Sequence, residues 1–177
     1  MKLWKAALSA LVLTAALTLT VRLVLAGPAR TRAAAEQEET LENLLPGGSP
    51  VIREGYQGED ESVTAVFRGG HGWVVETVTD GYVAPVKLWV GVDQSGTVTG
   101  LTVRDLHETP GLGTKALWDT DFLKQFLGRR GDAAVGENVD ALTGATVTSK
   151  AIAKGVNAAS AYVTGADISS GATEWGG

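Results

Sequence analysis

Asp140-Ala141-Leu142-Thr143-Gly144-Ala145-Thr146-Val147-Thr148-Ser149 stands directly ahead of an alanine-rich pattern of helical period, Lys150 to Val163. Thr148 and Ser149 are good helix N-caps, so the spacing predicts that the last helix begins there. Gly144 and Ala145 carry almost no side chain, which lets a large partner approach the backbone. A helix start presents N–H groups without intrahelical partners and the positive end of the dipole, a setting that suits a phosphate. Gly-Ala-Thr is nevertheless a common tripeptide, and a Thr-Gly turn ahead of a helix is in most cases only a cap.

A second glycine-containing stretch lies upstream, His107-Glu108-Thr109-Pro110-Gly111-Leu112-Gly113. Pro110 fixes one backbone angle, and Gly111 and Gly113 permit a tight turn and a close ligand. Gly111-Leu112-Gly113-Thr114-Lys115 is not a phosphate-wrapping P-loop, because the spacer of that motif is missing. Read alone, this stretch is a structural turn.

The pair of motifs resembles the FMN-binding subunits of respiratory sodium or proton pumps. Asp140 to Thr146 is similar to their flavinylation motif, Asp-x-x-Ser/Thr-Gly-Ala-Thr, and His107 to Gly113 to their second signature. The nearest likeness is to the G component of the Rnf electron-transport complex. The C component of the sodium-pumping NADH:quinone oxidoreductase comes second. The likeness runs from about Thr79 to Ala161.

The resemblance implies FMN held covalently by a phosphoester to Thr146. Asp140, Thr143, Gly144 and Ala145 would complete the attachment motif, and Glu108, Thr109, Gly111, Leu112 and Gly113 would lie against the flavin. Glu108 or Thr109 could hydrogen-bond the ring or the ribityl chain, and His107 and Lys115 are further candidates. Trp89 and Trp118 could stack on the ring, although buried aromatics more often belong to a core. The resemblance also implies maturation by an FAD-dependent flavin transferase. The other Rnf subunits, A, B, C, D and E, would be the partners. The chain would be an electron carrier without a catalytic site of its own. A flavin-free anchored binding module is the alternative from another class.

Asp167-Ile168-Ser169-Ser170-Gly171-Ala172-Thr173 fits the same attachment pattern. Three points favour Thr146. A helical pattern follows Thr146 but not Thr173; Glu174 sets a negative charge beside any phosphate on Thr173; and Thr146 keeps the spacing to the Glu108 stretch. Thr173 remains a candidate second site.

Composition narrows the chemistry. The 177 residues carry 15 Lys and Arg against 20 Asp and Glu, a net charge of -5 that argues against nucleic-acid binding. The absence of Cys excludes disulfides, thiolate-held iron–sulfur clusters and thiol redox chemistry. Only 2 His are present, which argues against a multi-histidine metal site. Electron handling therefore requires an organic cofactor. NAD binding is not expected, since no Gly-x-Gly-x-x-Gly follows a strand pattern.

The N-terminus is short and basic, and residues 6 to 26 are apolar apart from Arg22 and a few Ser and Thr. About 20 helical residues span a bilayer core of about 30 Å. The alternative is a cleaved signal peptide ending near Val24-Leu25-Ala26, but the run exceeds a signal core of about 7–15 residues. Either reading places the remainder outside the cytoplasm. The charges flanking the span, Lys2 and Lys5 before it and Arg22, Arg30 and Arg32 after it, do not set its orientation; the resemblance implies a single pass in the cell membrane with the flavin domain on the extracytoplasmic side.

Arg30 to Leu45 is rich in Ala, Glu and Gln, with a narrow stripe of Leu41, Leu44 and Leu45, and reads as a stalk helix that Pro46-Gly47-Gly48 ends. Strand signals follow at Ser62 to Arg68, Gly72 to Thr79, Pro85 to Asp93 and Thr97 to Leu106, with hairpin turns at Gly69-Gly70-His71 and Asp93 to Gly96. Val86, Leu88, Val90 and Val92 share one face of their strand, opposite Lys87, Trp89 and Gly91. Trp118 to Leu127 has near-helical spacing, and Arg129-Arg130-Gly131-Asp132 reads as an exposed turn. The expected class is α+β, an antiparallel sheet with packed helices. The expected parts are an anchor (1–27), a stalk (28–49), the FMN-binding domain (50–164) and a C-terminal tail (165–177).

Overall fold

The computed structural model describes residues 4, 12–18, 32–56 and 58–165. The chain divides into two compact units, Met1–Glu39 and Thr40–Gly177. In the first, residues 12–18 and 32–39 are helical and exposed. Among the described residues no helix is long and apolar enough to cross a membrane. Most of the expected anchor, and Thr173 with the tail after Gly165, lie outside the described residues.

The second unit is built on one antiparallel sheet of five strands in sequential order. These are β1 (Ile52–Glu54), β2 (Val63–Gly69), β3 (Gly72–Asp80), β4 (Pro85–Asp93) and β5 (Val98–Leu106). The expected hairpins stand within about a residue of their sequence bounds. β1 is an addition of three residues, too short to show a period-2 signal. Beyond β5 come a 3-10 helix (Gly113–Leu117), α1 (Thr120–Lys124) and α2 (Thr146–Thr164). The α+β class with an antiparallel sheet is therefore as expected.

The alternation in β4 divides the interior in two. Val86, Leu88, Val90 and Val92 join a large core with Val66, Val75, Phe122, Phe126, Ile152 and Val156. Trp89, one step out of phase, enters a separate cluster with Val74, Ala65, Phe67, Leu41, Leu44 and Leu45. The leucine stripe read as part of a stalk thus ends against the sheet. Leu45 is 2% exposed. Gly91 of β4 and Gly100 of β5 are register partners and form the notch that receives this turn. A methyl group on Gly91 would lie 2.0 Å from the Leu44 carbonyl oxygen, and one on Gly100 would lie 2.8 Å from Leu44 Cα. Thr99 Oγ1 donates to that same carbonyl at 2.7 Å.

The large core is closed by α2. Its sheet-facing side is small, with Ala151, Gly155, Ala158 and Ala159 buried, so the helix axis can approach closely. A methyl group on Gly155 would meet Thr77 Oγ1 at 2.7 Å and Leu88 Cδ1 at 2.8 Å. Thr79 Oγ1 donates to the Ala151 carbonyl at 2.8 Å, a buried bond joining β3 to α2. Asn157 grips the preceding loop in both directions: Ala133 N donates to its Oδ1 and its Nδ2 donates to the Ala133 carbonyl, both at 2.9 Å.

Arg129 to Asp132 is more than an exposed turn. Val98 N donates to the Arg129 carbonyl and Gly128 N to the Val98 carbonyl, each at 2.9 Å, which ties the loop to β5. Arg129 Nε donates to Gln125 O at 2.8 Å, and its Nη2 donates to Asn138 O.

Gly91→Ala forces backbone out of the notch and is expected to cost about 1–3 kcal/mol, read from the denaturant midpoint. The polar rim of the same cluster gives a pH-dependent expectation at Glu76. Burial alone would raise its carboxyl, but donation from Trp89 Nε1 and Thr64 Oγ1, with Lys87 nearby, holds it below its ordinary value of 4.5. A depressed folded-state pKa adds stability above that ordinary value and loses it as pH falls through the folded one. Thermal melts of Glu76→Gln should therefore lie below the native protein at pH 7, with the gap closing as pH drops beneath 4.5.

Candidate flavin site

The two sequence motifs meet at the start of α2. Pro110 and Gly111 make the turn after β5, and Gly111 has a φ of +75°. No atom outside its chain neighbours lies near a methyl group placed there, so this glycine is required by backbone conformation alone. The loop then closes on Thr109, whose carbonyl accepts from Leu112 N at 3.1 Å. Thr114 Oγ1 accepts from Gly111 N at 3.0 Å. Gly113 serves another purpose. A methyl group there would lie 2.7 Å from Glu108 Cβ and 2.8 Å from Thr148 Oγ1, so it lets this loop seat against α2.

The second motif begins with Asp140, whose N–H donates to Gln125 Oε1 at 2.7 Å. Gly144 has a φ of +76°, and a methyl group on it would meet Leu112 Cδ2 at 2.9 Å. One motif therefore packs directly on the other.

α2 begins at Thr146, with Ala145 as N-cap and no side-chain cap. This corrects the sequence expectation for Thr148 and Ser149. Both hydroxyl residues are buried inside the first turn. Ser149 Oγ accepts from Leu142 N at 3.0 Å and donates to the Ala145 carbonyl at 2.9 Å. It braces the loop rather than capping the helix. The N–H groups of Thr146, Val147 and Thr148 have no intrahelical acceptor by position, and the first turn holds no acidic residue.

The space between the motifs is a pocket of about 420 Å³, lined by Tyr82, Glu108, Thr109, Leu112, Gly113, Gly144, Ala145, Thr146, Val147 and Thr148. That size suits a cofactor. Seven sequence-predicted residues line it, from Glu108 to Thr146. Asp140, Thr143 and Gly111 lie in the same two loops without lining the pocket. Tyr82, Val147 and Thr148 were not among the expected site residues. Tyr82 sits in the β3–β4 turn, which carries no motif.

The other candidates lie elsewhere. Trp89 is buried in the second cluster, where its Nε1 donates to Glu76 Oε2 at 2.8 Å and Arg104 stands 4.1 Å over its ring. Trp118 is exposed and does not line the pocket. His107 is exposed, its Nδ1 3.0 Å from Asp105 Oδ1. Lys115, in the 3-10 helix, does not line the pocket either.

Residues 81–161 match the FMN-binding domain family. The chain is 38% identical over 95 residues to the G component of the Na+-translocating ferredoxin:NAD+ oxidoreductase complex of Acetobacterium woodii, covering 49% of this chain and 46% of the relative. It is 38% identical over 99 residues to the G component of the proton-translocating ferredoxin:NAD+ oxidoreductase complex of Clostridium ljungdahlii, covering 52% and 53%. The G component of the ion-translocating oxidoreductase complex of Vibrio vulnificus is 34% identical over 134 residues, covering 67% and 64%. The chain spans about half the length of the first two of these relatives. Residues 81–161 are thus similar to the FMN-binding domain family, and the chain is similar to the G components of ion-translocating oxidoreductase complexes.

Ser149→Ala should leave the buried Leu142 N–H without its acceptor, at a cost of about 1–3 kcal/mol. Urea denaturation measures it, and a change below about 0.5 kcal/mol would mean that the brace is dispensable.

Proposed function

We propose that this chain is the membrane-anchored, electron-carrying flavoprotein subunit of an ion-translocating ferredoxin:NAD+ oxidoreductase, with FMN esterified through its phosphate to Thr146. The carrying observation is convergence. Glu108, Thr109, Leu112 and Gly113 line one pocket with residues 144–148, far from them in sequence, and Thr146 is exposed at its edge. The uncapped α2 start fits a phosphate. Its three N–H groups and dipole end favour an anion at the hydroxyl that would carry the ester. Gly144 keeps the approach to that hydroxyl free of a side chain, while Leu112 and Tyr82 offer an apolar and an aromatic wall to a planar ring.

Bound FMN would supply one- or two-electron redox chemistry. The protein's own groups would position it, hold its phosphate end and limit water around it. Attachment needs no base from this chain, because an FAD-dependent transferase would make the ester. Anchoring through residues 1–27, the extracytoplasmic position of the domain, and the five other Rnf subunits as partners belong to the same proposal.

Intact-mass measurement after co-production with the transferase tests it. The native chain should gain one FMN phosphoryl group, Thr146→Ala should lose nearly all of that gain, and Thr173→Ala should keep it. Retention by Thr146→Ala together with loss by Thr173→Ala would move the attachment to the tail.

A further inference from the structure

Glu108 is 7% exposed and lines the pocket, yet its carboxylate is already engaged. Oε1 accepts from Tyr82 N at 2.7 Å and from Val83 N at 3.2 Å. Both donors sit in the turn between β3 and β4, which returns on itself through Gly81 N donating to the Ala84 carbonyl at 3.2 Å. Gly81 is fitted to the carboxylate: a methyl group there would stand 2.3 Å from Oε1 and 2.4 Å from Ala84 O. The stem of the same side chain packs on Gly113. The Tyr82 and Val83 side chains themselves are exposed, 71% and 63%, so little packing holds that turn in place.

We infer that Glu108 is a positioning residue, a clasp that fixes the Tyr82 turn as one wall of the flavin pocket. This rests on the flavin reading of the pocket and goes beyond it. The expected role, a hydrogen bond from Glu108 or Thr109 to ring or ribityl chain, gives way for Oε1 to a backbone role. A carboxylate with two N–H donors has its charge spread locally. That makes its presence compatible with a phosphate bound at the same pocket, where a bare carboxylate would repel it. Glutamine keeps one oxygen that can accept both bonds, and alanine keeps none.

The full chain tests this in two forms. In flavin-free protein, hydrogen–deuterium exchange at the Tyr82 and Val83 amides should rise about tenfold or more in Glu108→Ala and stay within about threefold of native in Glu108→Gln. In protein loaded by the transferase, all three should carry the FMN mass. Flavin fluorescence anisotropy should fall in Glu108→Ala and hold in Glu108→Gln. If Glu108→Ala does not fold, Gly81→Ala is the second variant. It crowds the clasp without removing the carboxylate and should raise exchange at the same amides. Unchanged exchange in these variants, or equal loss of anisotropy in Glu108→Gln and Glu108→Ala, overturns the clasp. The latter would make Glu108 a flavin contact that depends on charge. A native chain without FMN mass overturns the flavin reading instead, while the exchange result still decides the clasp between Glu108 and the turn.

Discussion

The site depends on how closely α2 lies against the sheet. Gly155 has no room for a side chain between Thr77 and Leu88, and Thr79 bonds the Ala151 carbonyl one turn earlier. These fix both the depth of the helix and its position along its axis. A shift of one turn would carry Thr146 about 5.4 Å, far enough to part Thr148 from Gly113 and Gly144 from Leu112. The alanines on this face contribute less apolar area than leucines would. In exchange they give a helix–sheet contact with few alternative fits, and a rigid platform from which the first turn projects. Ser149 and Asn157 then attach the two loops ahead of the helix to its own body.

The glycines of the two motifs are there for different physical reasons. Gly111 answers to its backbone angle, since nothing stands near it. Gly113 answers to packing, between Glu108 and Thr148. Gly144 answers to both, with a positive φ and Leu112 lying over it. Only Gly113 and Gly144 line the pocket. A motif glycine is thus no sign in itself that a ligand approaches there.

Much of the sheet was legible because its signals are local. Val86, Leu88, Val90 and Val92 alternate, Gly69-Gly70-His71 turns, and strand bounds follow within about a residue. The same alternation set Trp89 opposite those valines. Its separation from the α2 side was therefore already present in the pattern, and its place in a second core follows from it. What local signals could not carry was the partner of the leucine stripe. Leu41, Leu44 and Leu45 have the narrow spacing of a weakly amphipathic stalk, and the notch that buries them is made by Gly91 and Gly100, about 50 residues on. The helix start was misplaced for a related reason. Hydroxyl residues favour N-caps when exposed, but Thr148 and Ser149 are buried, and burial sets their role. Tyr82 escaped notice because an aromatic residue in a turn has no periodic or motif signal. Its place depends on the Glu108 carboxylate reaching it across 26 residues.

The bare start of α2 is informative because a cap was within easy reach. An alanine N-cap in place of Ser, Thr, Asp or Asn forgoes about 1 kcal/mol, and hydroxyl residues are plentiful in this stretch. Thr143, Thr146, Thr148 and Ser149 stand close by, yet no side chain caps the helix. A helix of 19 residues, buried along most of its length, tolerates that loss. A capping oxygen would occupy the place where an anion meets the N–H groups, and an acidic first-turn residue would oppose it. The helix has neither, while the nearest carboxylate in the pocket is committed to the Tyr82 turn. Local stability has been given up on the side of the pocket where the phosphate is proposed to sit. On that wall the sequence departs from what the helix alone would favour.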